Sequence, residues 1–239
     1  MIRMVVVAAA LASVVPAASP LTITPLLHAS VQIESGGLVI QIDPWSRGDL
    51  SRAKPADLIL ITDDPIHHLD PKAIAMLRKP DAMVIVPAAS HAKFPDSTAI
   101  AIGERKTIGD VVVEAIAAYD TKPGQSFHPK GKSNGYLVSV GGQRLYFTGP
   151  TQCVAEIRAL KDVDVAFFPM NLPAGRMEPA DAAECVNAFK PKAVYINHYD
   201  QGFAAGNGVT AGIDATVGAF RKALDPSIAF KQGDWYPRR

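Results

Sequence analysis

The chain carries no excess of charge of either sign: 24 lysines and arginines stand against 23 aspartates and glutamates in 239 residues, a net charge of +1. Nor does a long run of one sign stand out, so the electrostatic footprint of a nucleic-acid groove or an anionic membrane surface is missing. The expected partner is a small molecule. Cysteine is scarce as well. Two residues, Cys153 and Cys185, cannot build the multi-bridge framework of a small secreted scaffold. Both fall in stretches that read as helical, where a small buried thiol is the plainer expectation, although export would permit them to pair. Internal repeats and low-complexity linkers are lacking too. A chain of this size buries a large core without staples, so one compact domain is expected over residues 20–239.

Long apolar runs are missing except at the start. Arg3 supplies a positive charge, residues 5–15 form a run rich in Ala and Val, and Val15-Pro16-Ala17 offers small residues after it. That is the layout of a secretory signal, too short for a stable membrane span. Residues 1–19 are therefore expected to be a signal peptide, cut near Ala17 to Ser19, which sends the protein to the periplasm or outside the cell. Its removal leaves 23 basic and 23 acidic residues and no membrane partner.

What is present is a succession of short β-rich segments. Residues 21–27, 29–34 and 38–43 read as strands, with Ser35-Gly36-Gly37 as a hairpin turn. The run DLILIT, residues 57–62, suits a central strand buried on both faces. Residues 71–77 read as a helix with proline in its first turn, and 83–87 as another buried strand. Residues 99–102, 111–119, 135–140 and 143–148 continue the β pattern, the last two joined by Gly141-Gly142. Strand and helix then alternate: helices at 154–160, 179–189 and 211–224, strands at 163–168 and 193–197 and near Ile228. Two β-rich halves with helices between strands suggest stacked sheets with helices outside.

The six histidines are His28, His67, His68, His91, His128 and His198. Four lie at or beside the ends of apolar strands: His28 after the first, His67 and His68 a short loop beyond DLILIT, and His198 directly after AVYIN. Strand ends that converge on one edge are where layered α/β folds build their sites, and neutral imidazole is the commonest metal ligand in proteins.

The stretch LLHASVQIESGGLVIQIDPW resembles the opening of ascorbate-phosphate-lactonase-like members of the metallo-β-lactamase superfamily, and the likeness continues through ADLILITDDPIHHLDP, AYDTKPGQSFHPKGKSNGYLV, QRLYFTGPT, VDVAFFPMNLP and PKAVYINHYD. The segments keep the family's order from residue 27 to 200. The resemblance implies an α/β fold, a four-layer αββα sandwich of two mixed β-sheets flanked by helices, with metal sites along one edge.

Departures from the family pattern fall on the metal ligands. The family signature Thr-His-x-His-x-Asp-His appears here as Thr62-Asp63-Asp64-Pro65-Ile66-His67-His68. The histidine of the His-Pro-Lys-Gly stretch is kept as His128, and the last ligand as His198. The Gly-Asp-Thr segment, whose aspartate bridges two metals, is Gly149-Pro150-Thr151, and proline offers no side-chain donor. By the family's layout the first metal retains only Asp63 and His128. The second retains His67, His68 and His198, three nitrogens with a fourth position open, which suffices for a catalytic zinc. Three neutral ligands also leave more of the ion's charge on its water, favouring ionisation near neutral pH.

The reading that results is a mononuclear metal-dependent hydrolase of an ester, lactone or phosphoester. One zinc, or another divalent ion, is held by His67, His68 and His198. Asp63 and His128 serve as additional ligands or as acid and base. Asp43 is expected to support the site from behind, His28 to orient a loop through a hydrogen bond rather than bind metal, and His91 to lie at the surface. Asn171, in the Met170-Asn171-Leu172-Pro173 loop, either donates to substrate or closes a turn. Lys130 and Lys132 either attract an anion or belong to a solvated loop. Tyr199 and Trp235 are expected to pack. The alternative is a non-catalytic small-molecule-binding protein that kept the fold and lost turnover; a metal-binding or sensing module without hydrolysis is the third possibility.

Overall fold

The computed structural model describes residues 20–124, 127–170 and 176–237. The expected signal peptide, residues 1–19, and Asn171 to Pro173 lie outside the described residues. Among the described residues thirteen strands make two mixed sheets. The first, in spatial order, holds β1 (Leu21–Leu27), β2 (Ser30–Ser35), β3 (Leu38–Ile42), β4 (Ala56–Leu60), β5 (Arg78–Pro87) and β6 (Thr98–Ile100). The second runs from β7 (Arg105–Ile108) through β8 (Val111–Ala118), β9 (Ser133–Val140), β10 (Gln143–Phe147), β11 (Val165–Pro169) and β12 (Ala193–Asn197) to β13 (Ala229–Lys231). Each sheet begins with antiparallel hairpins and ends in parallel pairs. Two tight hairpin turns demand left-handed backbone at both central residues, which Gly36-Gly37 (φ 58° and 88°) and Gly141-Gly142 (φ 57° and 75°) adopt without a Cβ clash.

The sheets meet face to face. Val31, Ile33, Ile40, Ile42, Leu58 and Leu60 of the first pack in one core with Val113, Tyr136, Val138, Leu145, Phe147 and Phe167 of the second. Opposite Leu58 and Leu60, Ile59 and, beyond the strand end, Ile61 turn outward; with Ala56, which lies before the irregularity in the ladder, they join Leu69, Ile74, Val84 and Val86 under the helix α1 (Pro71–Leu77). This is why the Leu-Ile-Leu-Ile centre of DLILIT is apolar without interruption. Leu58 to Ile61 are at most 1% exposed, and each such side chain contributes about 1.5–3 kcal/mol over an exposed one. On the far side of the second sheet, α2 (Ala155–Arg158), α3 (Pro179–Phe189) and α5 (Ile213–Ala223) pack together, and Phe189 meets Tyr146 and Phe168. A single turn, α4 (Gln201–Ala204), follows β12. No helix among the described residues is long and apolar enough to cross a membrane.

Several expectations are corrected. Cys153 and Cys185 are bonded to each other, not two separate buried thiols. Cys153 is not helical but sits in the loop before α2, and the packing of α2 on α3 brings its Cα within 5.6 Å of that of Cys185. The strand β5 begins at Arg78, directly after α1, because Arg78 pairs with Ala56 across an irregular register; Pro80 is accommodated where the ladder shifts. The strand β7 was not expected at all.

Candidate metal centre

Three residues that leave strand ends have left-handed backbone although none is glycine: His28 after β1 (φ 57°), Asp43 after β3 (φ 44°) and His198 after β12 (φ 53°). Such conformations cost free energy and persist where the surroundings over-determine them, often at functional sites. The backbone N–H of His198 donates to the carbonyl of His28 at 3.0 Å, joining the two sheets at this edge, and the N–H of His28 donates to the carbonyl of Trp235 at 3.2 Å.

The signature loop is held at both ends. The carbonyl of Pro65 accepts from the N–H groups of His68 and Leu69 at 2.8 and 2.9 Å. Asp70 then caps α1 through Lys72 and Ala73 and takes the N–H and hydroxyl of Ser46 at 2.8 and 2.6 Å. Proline thus supplies a turn where the family has a ligand. Between these anchors His68 is wholly buried. Its Nδ1 lies 2.7 Å from Asp43 Oδ2. That carboxylate is fixed in turn by the N–H and hydroxyl of Thr62 at 2.7 and 2.6 Å. With its proton on Nδ1, His68 presents the lone pair of Nε2, which lies 3.1 Å from His198 Nε2. Two donors sharing a tetrahedral zinc at about 2.0–2.1 Å stand roughly 3.3 Å apart, so the spacing is already that of co-ligands.

The other rings are set in the same manner. His198 Nδ1 meets the Gln201 side-chain amide at 2.7 Å, and His28 Nδ1 meets the Tyr236 hydroxyl at 2.6 Å. The same amide nitrogen lies 3.0 Å from the His198 carbonyl, which fixes it as the donor to Nδ1 and leaves the proton of the ion-free His198 ring on Nε2, facing His68. His28, His67 and His198 each offer a nitrogen within 4.8 Å of the others'. Burial holds His28 and His198 well below the ordinary histidine range, reinforced by their imidazole neighbours. Burial, then the charge of His68, lowers His67 to about 3. These rings are neutral at physiological pH, as ligands must be. Burial also opposes charge on His68, but Asp43 outweighs it and raises its basicity.

The two remaining sequence-derived residues form a separate cluster. Asp63 Oδ1 accepts from the Ser133 hydroxyl at 2.9 Å, and its Oδ2 lies 3.1 Å from His128 Nε2, an ion-pair approach without the alignment of a hydrogen bond. Burial opposes ionisation of Asp63, but His128 and the charge of His68 prevail and hold its carboxyl at about 2. The other ring nitrogen of His128 is met by the guanidinium of Arg176, which also pairs with Asp120. Asp120 in turn accepts from the backbone N–H of His128 at 2.9 Å. An arginine can only donate, so the Nδ1 it meets is an acceptor and the ring proton sits on Nε2, facing Asp63.

The structure groups the nitrogens of His28, His67 and His198, sets His68 against His198, places Asp63 and His128 in an adjoining pair, and puts Asp43 behind His68. Sequence reasoning did not single out Arg176, Asp120, Gln201 or Tyr236, because no local pattern marks a residue whose partner lies far along the chain. Lys130 and Lys132 face Glu156 and Asp64, ordinary surface pairs. Trp235 is 1% exposed and packs in the core.

Whether these side chains suit a divalent ion is answered by their free atoms. His28 Nε2 is buried without a hydrogen-bond partner, and His68 and His198 face each other through Nε2 while their Nδ1 atoms are occupied from behind. That arrangement, with a carboxylate behind a ligating histidine, is the usual support of a metal-bound imidazole. An all-nitrogen donor set favours zinc, copper or nickel over magnesium or calcium.

Comparison with known proteins agrees with this architecture. The family described as beta-lactamase superfamily domain matches residues 22–198. A UPF0173 metal-dependent hydrolase of Lysinibacillus sphaericus is 30% identical over 192 residues, covering 72% of this chain and 82% of that protein. A crystal structure from Parabacteroides distasonis, of a protein named as a candidate metal-dependent hydrolase, is 34% identical, with a TM-score of 0.79 over 90% of this chain and 93% of that one. The metallo-β-lactamase fold protein YhfI of Bacillus subtilis shares the fold, with a TM-score of 0.68 at 10% identity over 89% of this chain and 95% of that one. With two mixed sheets in this order, a family match over most of its length and a metal-type edge where the strands end, the chain belongs to the metallo-β-lactamase superfamily.

Proposed function

We propose that this protein is an exported metal-dependent hydrolase that uses one zinc ion to cleave an ester, lactone or phosphoester of a small molecule. The observation that carries the reading is the 3.1 Å approach of His68 Nε2 to His198 Nε2, with His67 beside them. A zinc ion held by His67, His68 and His198 would polarise the substrate's carbonyl or phosphoryl oxygen and lower the pKa of water. Asp43 holds His68 in the tautomer that can ligate. Asp63, ionised and facing His128, can accept a proton at Oδ2 and return it to a leaving oxygen, while the Nε2–H of His128 holds the carboxylate in place.

The count of one ion is supported by what occupies the other position. Asp63 and His128 correspond to ligands of the family's first metal, and here they meet each other. Arg176 and Asp120 bind His128 from behind, and Pro65 and Pro150 offer no donors. Export is supported by the Cys153–Cys185 bond, since disulfides persist in oxidising compartments.

Elemental analysis of protein purified without a histidine tag, with a screen of ester, lactone and phosphodiester substrates, tests the reading. About one zinc per chain is expected, lost together with turnover in His68→Ala and His198→Ala. Two tightly held ions, or turnover that survives metal removal, would overturn it. No metal under saturating zinc and no turnover would favour the binding-protein alternative.

A further inference from the structure

Behind the imidazoles of His68 and His198 stands His28, wholly buried in a layer of rings that includes Trp45, His67, His198 and Tyr236. Its Nδ1 is engaged by Tyr236, whose oxygen also accepts from the Asp200 N–H at 3.0 Å. With Nδ1–H donating to that oxygen, Nε2 is left with an unshared lone pair, and no hydrogen bond satisfies it. A buried acceptor in that condition is costly unless something else takes the lone pair.

We infer that His28 is itself a ligand of the ion, completing with His67, His68 and His198 a shell of four imidazoles and no carboxylate. The inference rests on the single-ion reading above. Three observations support it besides the orphaned Nε2. The nitrogens of His28, His67 and His198 lie within 4.8 Å of one another and His68 Nε2 lies 3.1 Å from His198 Nε2, so a ligand spacing of roughly 3.3 Å needs the rings to close by up to about 1.5 Å. The left-handed backbone at both His28 and His198, joined by the 3.0 Å bond between them, turns the two rings toward each other with centroids 4.1 Å apart. Pro150 supplies no bridging carboxylate, so the ion lacks an oxygen donor that a fourth nitrogen replaces. Zinc expands to five ligands during catalysis, so a closed resting shell does not bar a substrate.

Two variants separate a ligand from a loop-orienting residue. His28→Phe keeps a ring in the layer and removes both nitrogens, while Tyr236→Phe leaves the His28 ring in place and removes the oxygen behind it, which also accepts from the Asp200 N–H. Zinc affinity by chelator competition and the visible spectrum of the cobalt(II) protein are the readouts. A ligand role predicts that His28→Phe binds zinc more than a hundredfold more weakly and shifts the cobalt bands, while Tyr236→Phe loses about tenfold, as supporting residues do. If circular dichroism shows His28→Phe to be unfolded, His28→Asn tolerates the left-handed backbone and serves in its place. Equal affinities for the two variants, with the wild-type cobalt spectrum retained in the His28 variant, would overturn the inference and leave the single-ion reading intact. A wild type that binds no zinc would overturn both.

Discussion

Asp43 shows how much one atom can decide. Its Oδ1 accepts from the Thr62 N–H, and its Oδ2 serves both the Thr62 hydroxyl and His68 Nδ1. In Asp43→Asn the amide keeps the left-handed backbone, which asparagine tolerates well, and its oxygen still accepts from Thr62. The amide nitrogen, however, then faces Nδ1 and donates to it. The ring proton must move to Nε2, the atom that would hold the metal. Zinc affinity is therefore expected to fall about 10–100-fold while the fold survives, measured by chelator competition alongside a thermal melt. Unchanged affinity would show that His68 does not ligate through Nε2. At this scale the sequence was informative about Asp43, because it stands in the Ile-Asp-Pro-Trp segment of the family resemblance, which implied a supporting role for it. His28 was less legible: the expected hydrogen bond is there, to Tyr236, but a contact across 208 positions leaves no periodic trace.

Elements with a simple apolar rule were readable, and those formed under tertiary constraint were not. The helix over residues 71–77, the helix over 179–189 and the strand over 193–197 coincide with their expected limits, because proline at a first turn and short apolar runs are local signals. In contrast β7, Arg-Lys-Thr-Ile, has almost no apolar pattern; it forms because β8 offers an open ladder, and its charges suit an edge strand. The turn α4 was equally silent, although it delivers Gln201 to His198. The disulfide belongs to this scale too. Cys153 and Cys185 are 32 residues apart and tie the entry to α2 onto α3. Cross-linking a loop of that length stabilises by about 3–4 kcal/mol through the entropy of the unfolded chain. The Cys153→Ser/Cys185→Ser double variant should lose that much in urea unfolding, and reduction of the wild type should reproduce the loss. A midpoint unchanged by either would show that helix packing alone holds this corner.

For the whole molecule, the proposal of a single ion raises the question of why a two-metal scaffold would hold only one. The family ligands are spread over both sheets, so losing a position requires changes far apart in the chain to agree. They do agree here: Asp63 and Pro65 lie beyond β4, Pro150 beyond β10, and the Arg176–Asp120 pair joins the loops beyond β11 and β8 to His128. Arg176 is the decisive member, because its guanidinium keeps the ring proton of His128 on Nε2 and so denies that nitrogen to a metal. Restoring the missing donors of the first position with Asp63→His, Pro65→His and Pro150→Asp should therefore still yield about one zinc per chain while Arg176 remains. Adding Arg176→Met frees His128 and should raise the count to two. The single Arg176→Met change leaves the buried Asp120 carboxylate without its cation, and breaking such a pair costs about 3–5 kcal/mol. The combined variant must therefore be compared at a temperature below its own melting transition. Two ions in the triple variant with Arg176 still in place would mean that the missing donors alone closed the first position, and that the arginine only fills the space they left.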